Sequence, residues 1–514
     1  MREMIAAIAF MVVLSLWPAF ANEAVGRLLS EARRAPEEQD LGRAALLAAQ
    51  AVRPEVDVDR RLRDLDALAR GLRRELGRQA DPRERLASMA TYLFRTQGFA
   101  DSESVSPTVY VGFDEVLDKT QWNCVAMSAL YVALGERIGM PLRLVSGPGH
   151  VLVMHAGDPE LYVETTQRGR IYPSKAYLSE YLPFPNTDPD DYAAVETPGA
   201  IAVVVTQAAL AQQEAGRMEL ARTLFEAALT FDPGHAEAAA GIAFQDLAEG
   251  RLEAAERGFR RAIHANPRLR EAYGGLGNTL QMSGRLAEAL EVYRTMTARW
   301  PDEPNAVFNY GQLLYEAGDL DGAIRQFRRY TELAPTDPTG FARLAFPLED
   351  KGDVEGALAA YQAAVRLDPG HKDALANMGL LYERAGRLDD AYKTYAAASR
   401  RGYAFGFAGL GRVSAERGDL RTAVTCLQRA TEMDEADPAI WMDYAGVLRR
   451  AGRSDEAVRA YRRALALAPG AGDAYRGLYA ALRSLNRSGE AEQVAREARA
   501  AGVTLSGETA WNRR

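Results

Sequence analysis

Glycine returns every 34 residues through the second half of the chain. It stands at Gly216, Gly250, Gly284, Gly318, Gly352 and Gly386, and proline keeps the same interval at Pro233, Pro267, Pro301, Pro335 and Pro369. Alanine follows suit at Ala221, Ala255, Ala289, Ala323, Ala357 and Ala391, with an aromatic at Phe225, Phe259, Tyr293, Phe327, Tyr361 and Tyr395. A fixed period of this length means one supersecondary unit copied along the chain. A single copy cannot bury its own apolar face, so neighbouring copies must stack, and this half cannot form one globular core. One unit is two residues short, with Gly418 following Gly386 by 32, and the register resumes at Gly452 and Pro469. Counted from Ala202, nine units end near Leu505.

These positions resemble the tetratricopeptide repeat (TPR), which pairs two antiparallel helices, puts a small residue where they cross and ends on proline. The resemblance implies an all-α superhelical solenoid whose first helices line a concave face for a protein or peptide partner. The inward polar positions in this register include Asn278, Asn309, Gln312, Arg343 and Asn377. Side-chain amides suit the backbone of an extended peptide, since each offers a donor and an acceptor. Arg412, Arg449, Arg450 and Arg483 make the later units more basic and suit an acidic partner.

The first residues read as a targeting signal. Arg2 gives a short basic region, Ile5 to Leu16 an apolar one, and Ala19-Phe20-Ala21 an A-x-A cleavage site. Residues 1–21 are therefore expected to be removed, leaving an exported periplasmic or secreted protein with no stable membrane insertion. A net charge of −8 gives no footprint for nucleic acid. Two cysteines, Cys124 and Cys426, do not make a disulfide framework. Cys426 lies inside a repeat and reads as a small buried hydrophobe.

Before the repeats, apolar residues at helical spacing predict helices over 41–50 and 58–76, and a third that starts at Asp81-Pro82. A further helix begins near Cys124 and ends at Gly139. Leu142 to Ser146, His150 to His155 and Leu161 to Thr166 read as strands, the last two joined by a loop over Ala156 to Glu160. Lys175 to Tyr181 reads as another helix and residues 183–201 as a linker. Within that linker Asn186, Asp188 and Asp190 imitate a calcium loop, but Asp191 replaces the needed glycine, so no metal or cofactor is expected.

The chemistry centres on Gln121-Trp122-Asn123-Cys124. Cys124 falls on the first turn of a helix, where unpaired N–H groups favour a thiolate. Asn123 suits the cap, and backbone N–H groups there could hold an oxyanion. His150 opens a strand after a glycine-rich turn, and Glu164 comes on the next strand. A hairpin turning near Asp158 sets Glu164 roughly opposite His150 to Leu152, so that its carboxylate holds one ring nitrogen while the other faces the thiol. His155 is five residues from His150 and points to the other face of the strand, which excludes a metal pair.

Asn-Cys-Val-Ala-Met-Ser-Ala-Leu, Pro-Gly-His-Val-Leu-Val and Tyr-Val-Glu-Thr-Thr resemble the bacterial transglutaminase-like superfamily over roughly residues 37 to 182. The resemblance implies a papain-like fold and a Cys–His–acid triad of Cys124, His150 and Glu164, with glutamate where aspartate is commoner. Papain-like enzymes place a glutamine upstream of the cysteine, and only through that resemblance does Gln121 enter as a weaker oxyanion donor. The fold expected is an α+β papain/transglutaminase-like N-terminal domain (22–182), a linker (183–201), the TPR superhelical solenoid (202–505) and a short tail (506–514). The function expected is a thiol peptidase, amidase or acyl transferase with a protein-binding array. The alternatives are a scaffold with an inert domain, or cleavage of cell-wall amides.

Overall fold

The computed structural model describes residues 21–77, 81–99, 103–104, 110–119, 121–147, 149–173 and 192–505. The expected signal sequence, the 175–181 helix, the Asn186–Asp191 segment and the 506–514 tail lie outside these residues. Residues 1–292 and 293–514 form two compact units.

In the first unit, helices come early because the chain supplies their caps. Helix α1 covers residues 21–32, α2 Leu41–Val52, α3 Val58–Leu76 and α4 Pro82–Thr91. Asp40, Asp57 and Asp81 each accept a hydrogen bond from the backbone N–H three residues on, at 2.9, 2.9 and 3.0 Å. Pro82 sits in the first turn of α4, where a missing N–H costs nothing. Helix α5 is Phe113–Leu117 and α6 is Cys124–Ile138, closed by Gly139 in the left-handed region at φ 69°.

Strands β1 (Glu103–Ser104) and β2 (Gln121–Trp122) make a short parallel pair. The main sheet is antiparallel, with β3 (Leu142–Gly147), β4 (His150–His155), β5 (Asp158–Glu164), β6 (Arg170–Tyr172) and β7 (Ala193–Val195) in the order β6-β5-β4-β3-β7.

Two boundaries differ from expectation. Strand β5 starts at Asp158, so the predicted five-residue loop shrinks to a turn around Ala156-Gly157. Pro159 is tolerated in the strand because the register shifts between Met154 and His155, and no ladder bond is required of it there. The segment 193–201 is not a linker. Ala193–Val195 pairs with β3, and the first repeat helix begins at Thr197 with Pro198 in its first turn.

The repeats appear as nine helix pairs running from Thr197–Glu214 with Met218–Phe231 to Gly472–Ser484 with Ser488–Ala500. The period has a direct physical source. Gly216, Gly250, Gly284, Gly318, Gly352, Gly386, Gly418 and Gly452 all adopt positive φ at the turn within each pair, and Asn486 holds that position in the last one at φ 57°. The crossing alanines are fully buried, since nothing larger fits between the helices. In the short unit the turn between pairs tightens to Arg401-Gly402-Tyr403, with Gly402 at φ 78° in place of the usual proline turn.

One core runs through the first unit without a break at residue 196. It joins Leu28 of α1, Leu46 of α2, Cys124 and Leu130 of α6 and Val153 of β4 to Ile201, Val205 and Phe225 of the first repeat. Cys426, expected to be buried, is only half-buried, because its helix Leu420–Met433 turns Ala423, Val424 and Leu427 inward instead.

Candidate thiol site

Helix α6 presents Cys124 as its first residue. The Asn123 side chain accepts the Ala126 N–H at 2.8 Å and caps it, as the sequence suggests. Ser128 lies one turn further along α6, and its hydroxyl sits 3.1 Å from Thr165 Oγ1 and 3.4 Å from the Val151 carbonyl. Both hydroxyls are fully buried. The chain of contacts ties α6 to β4 beside His150 and to the end of β5 beside Glu164. Three hydrogen-bonded neighbours thus hold the three candidate residues in register.

His150 is the first residue of β4 and Glu164 the last of β5, so both lie at the open end of the hairpin. His150 Nε2 is 2.7 Å from Glu164 Oε2. The Cys124 thiol lies close enough to the ring to raise its pKa. With Nε2 on the carboxylate, the triad reading assigns Nδ1 to the sulfur. Burial alone would lower the imidazole pKa. Hydrogen bonds to Cys124 and Glu164, together with their charges, outweigh it and push the pKa up to about 9. Glu164 Oε1 accepts from the Thr166 N–H at 2.9 Å and from the Thr166 hydroxyl at 2.5 Å. Cys124, His150 and Glu164 are 1%, 5% and 4% exposed.

The structure therefore brings Cys124, His150 and Glu164 together and leaves Gln121 on β2, paired with Glu103. His155, on the same strand as His150, is buried near Asp158 and Arg85, and burial lowers its pKa. The sequence reading did not single out Thr165, Thr166 or Ser128. The polar run Glu-Thr-Thr at the end of an apolar strand was the one signal available for the first two. Among the described residues no group of histidine, cysteine and acidic side chains could hold a metal. A cleft of about 600 Å³ lies at the other end of α6, lined by Asp40, Arg43, Asp66, Glu136, Arg137 and Thr197, and does not touch the thiol.

The residues expected on the repeat face all fall on first helices of their pairs. Asn309 donates to Tyr293 Oη at 3.3 Å, Gln312 to Glu316 at 3.2 Å, and Arg343 packs over Phe346 at 5.6 Å. Asn278 is exposed and Asn377 half-buried. The expectation that Arg412 offers charge to an acidic partner is corrected. Its guanidinium bonds Glu383 at 2.9 Å and Asp443 at 3.2 Å, and its charge is already met within the array. Arg450 likewise donates to the Ala415 carbonyl at 2.8 Å.

Comparison with known proteins agrees with this architecture. Residues 59–195 match the core model of the transglutaminase-like superfamily. Tetratricopeptide repeat models match 246–304, 276–338, 348–403, 409–472 and 447–503. No curated protein gives a significant match. Solved structures that resemble the chain include PilF of Pseudomonas aeruginosa, at 19% identity over 41% of this chain and 95% of that one, with a TM-score of 0.34. A tetratricopeptide repeat protein of Parabacteroides merdae matches at 14% identity over 48% and 99%, with a TM-score of 0.37. YrrB, described as a TPR protein with an unusual peptide-binding site, matches at 24% identity over 34% and 91%, with a TM-score of 0.30. The chain thus carries a transglutaminase-like superfamily domain followed by a TPR array.

Proposed function

We propose that this protein is an exported thiol enzyme that hydrolyses or transfers the acyl group of a peptide amide, and that its repeats hold a protein or peptide partner near the site. The observation that carries the reading is the hydrogen-bonded series Cys124–His150–Glu164 at the capped start of α6. A sulfur beside an imidazolium at a helix N-terminus is the setting in which thiolate chemistry runs.

In this reading the steps run as bond exchanges at Cys124. Cys124 Sγ attacks the amide carbon, and the carbonyl electrons move to oxygen, where backbone N–H groups at the start of α6 offer stabilisation. The C–N bond then breaks as His150 gives its proton to the leaving amine, which leaves a thioester on Cys124. Water or a second amine attacks that thioester, His150 takes the incoming proton, and the thiolate departs. Glu164 fixes the ring and balances the imidazolium without accepting the proton itself. Removal of residues 1–21 would place this chemistry outside the cytoplasm.

The test is labelling with a thiol-reactive activity probe. The parent should label at Cys124, and Cys124→Ala should not. Equal labelling of the two sinks the proposal. The near-complete burial of the sulfur favours one other reading, a binding scaffold with an inert domain. A parent that resists the probe when folded but labels once unfolded would support the scaffold instead.

A further inference from the structure

We propose that Thr166 is a positioning residue of this site, which aims the Glu164 carboxylate at His150. The inference rests on the proposed thiol chemistry and concerns a residue outside the triad itself.

A glutamate side chain reaches its carboxylate through three rotatable bonds, and the last of them turns almost freely. Left alone at the end of a strand, Glu164 would sample orientations in which neither oxygen meets the ring. Two features of the chain remove that freedom. Glu164 is the residue just before a 3-10 turn over Thr165–Gln167, and its side chain caps that turn. Thr166 then presents both its N–H and its hydroxyl to Oε1, at 2.9 and 2.5 Å. Two donors from one residue on one oxygen act as a fork. With Oε1 fixed in two directions, Oε2 is left on the side of His150 Nε2, at 2.7 Å.

The site departs from a simple hairpin pairing, and this explains why such a fork is needed. Val153 pairs with Val163 and Met154 with Tyr162, so continuing the register sets Glu164 opposite Leu152, two residues past His150. The carboxylate must reach diagonally along the strand end.

A merely electronic role for the hydroxyl makes the opposite prediction from a positioning role. Removing a donor from a carboxylate leaves it more basic, which strengthens its hold on an imidazolium and raises the histidine pKa. Removing an aiming group lets the carboxylate swing away, and the histidine pKa falls.

The experiment is an NMR titration of the His150 ring in the full chain, assigned by its loss in His150→Gln. Thr166→Val removes the hydroxyl at nearly constant shape, Thr166→Ala removes it without a branched side chain, and Thr166→Ser retains it. Positioning predicts that Val and Ala lower the His150 titration by about one pH unit, and that Ser leaves it near the parent. Circular dichroism on the same samples checks that they are folded. A His150 titration in folded Thr166→Val and Thr166→Ala that is unchanged or moves up overturns the proposal. The comparison is between variant and parent, so it reads Thr166 whatever the activity. A parent that shows no Cys124 chemistry, with His150 still dependent on Thr166, would overturn the thiol-enzyme reading alone.

Discussion

Replacing Glu164 by glutamine should invert the proton arrangement at His150. The carboxylate accepts three hydrogen bonds, two at Oε1 from Thr166 and one at Oε2 from His150 Nε2. An amide has one oxygen, and the two Thr166 donors claim it. The amide NH₂ then faces Nε2, and two donors cannot meet. His150 must shed its Nε2 proton and become an acceptor there, which places the remaining proton on Nδ1, the nitrogen facing Cys124. A ring in that tautomer cannot take a proton from the thiol. In serine hydrolases, the equivalent loss of the orienting acid lowers turnover by about 10⁴, and a loss of that order is expected here. The titration should respond too. The parent imidazole is held up near about 9, against an ordinary value of 6.5. A folded pKa above the unfolded one stabilises the protein fully below pH 6.5, and that stability is lost as pH rises through about 9. The gap is worth about 3 kcal/mol. Parent stability should therefore decline between pH 6.5 and 9, and the Glu164→Gln protein should lose the part of that decline that Glu164 supplies. Urea unfolding followed at several pH values, with NMR of the His150 ring, checks both. A variant whose His150 still titrates near 9, or whose Cys124 still labels at the parent rate, would refute the assigned geometry.

Three further predictions concern packing. Arg412→Ala should cost about 3–5 kcal/mol, because it leaves Glu383 and Asp443 partly buried without a cation, while Arg412→Met should cost no less at those carboxylates yet keep the packing; hydrogen exchange across Lys372–Arg384 and Pro438–Arg450 reads the loss, and unchanged protection would return Arg412 to the role of a free binding residue. A fragment of residues 22–196 should lack cooperative unfolding and bind a hydrophobic dye, because it strips Ile201, Val205 and Phe225 from the core, whereas residues 22–265 should unfold cooperatively; a cooperative melt for the shorter piece would show that the boundary is a real one. Gly169→Ala should cost about 3 kcal/mol, since Gly169 sits at φ 74° and a Cβ there would lie 2.4 Å from Tyr131 Oη and 2.7 Å from Ala90 Cβ; a melting temperature within a degree of the parent would show that the loop relaxes freely.

The repeats were legible because their period is set by backbone geometry that few residues satisfy. A left-handed turn asks for glycine, and the crossing point asks for alanine, so both recur at 34 residues whatever the surface does. The grouping of Cys124, His150 and Glu164 was legible for a different reason. Cysteine at a capped helix start, histidine at a strand start and an acid at the next strand end each sit where the backbone changes state, and those changes show in the sequence. What sequence could not show was what holds Glu164 in its diagonal reach to His150. It depends on a register shift between Met154 and His155 and on the hydroxyl of Thr166, and neither has a periodic signature. The linker reading over 193–201 failed for a related reason. Pro198 and the acidic run before it look like a linker, yet a three-residue edge strand and a proline in a first helical turn fit the same composition. Arg412 misled because a repeat register says which way a side chain points and not which neighbours already meet its charge.

The shared core bears on how the two parts of the chain work together. Helix α6 is buried from Cys124 to Gly135 on almost every side, which marks it as a core helix and not a surface one. The sheet covers one flank through β3 and β4, and α2, α3 and the first repeat helix, Thr197–Glu214, cover others. The start of α6 that carries Cys124 is therefore not free to shift by itself, and under the proposed function the site is preorganised before substrate arrives. Preorganisation of this kind suits chemistry in which the donors and the base are aligned in advance. It also fixes the role left to the first repeat. Interiors packed at crystal-like density transmit displacement instead of absorbing it. Under the proposed function, a partner that displaced helix Thr197–Glu214 would push on α2 and α6, both of which it contacts. A chain joined at that point by a flexible tether would let the repeats bind without the thiol site responding. Here the repeat that adjoins the site is part of the wall that holds it.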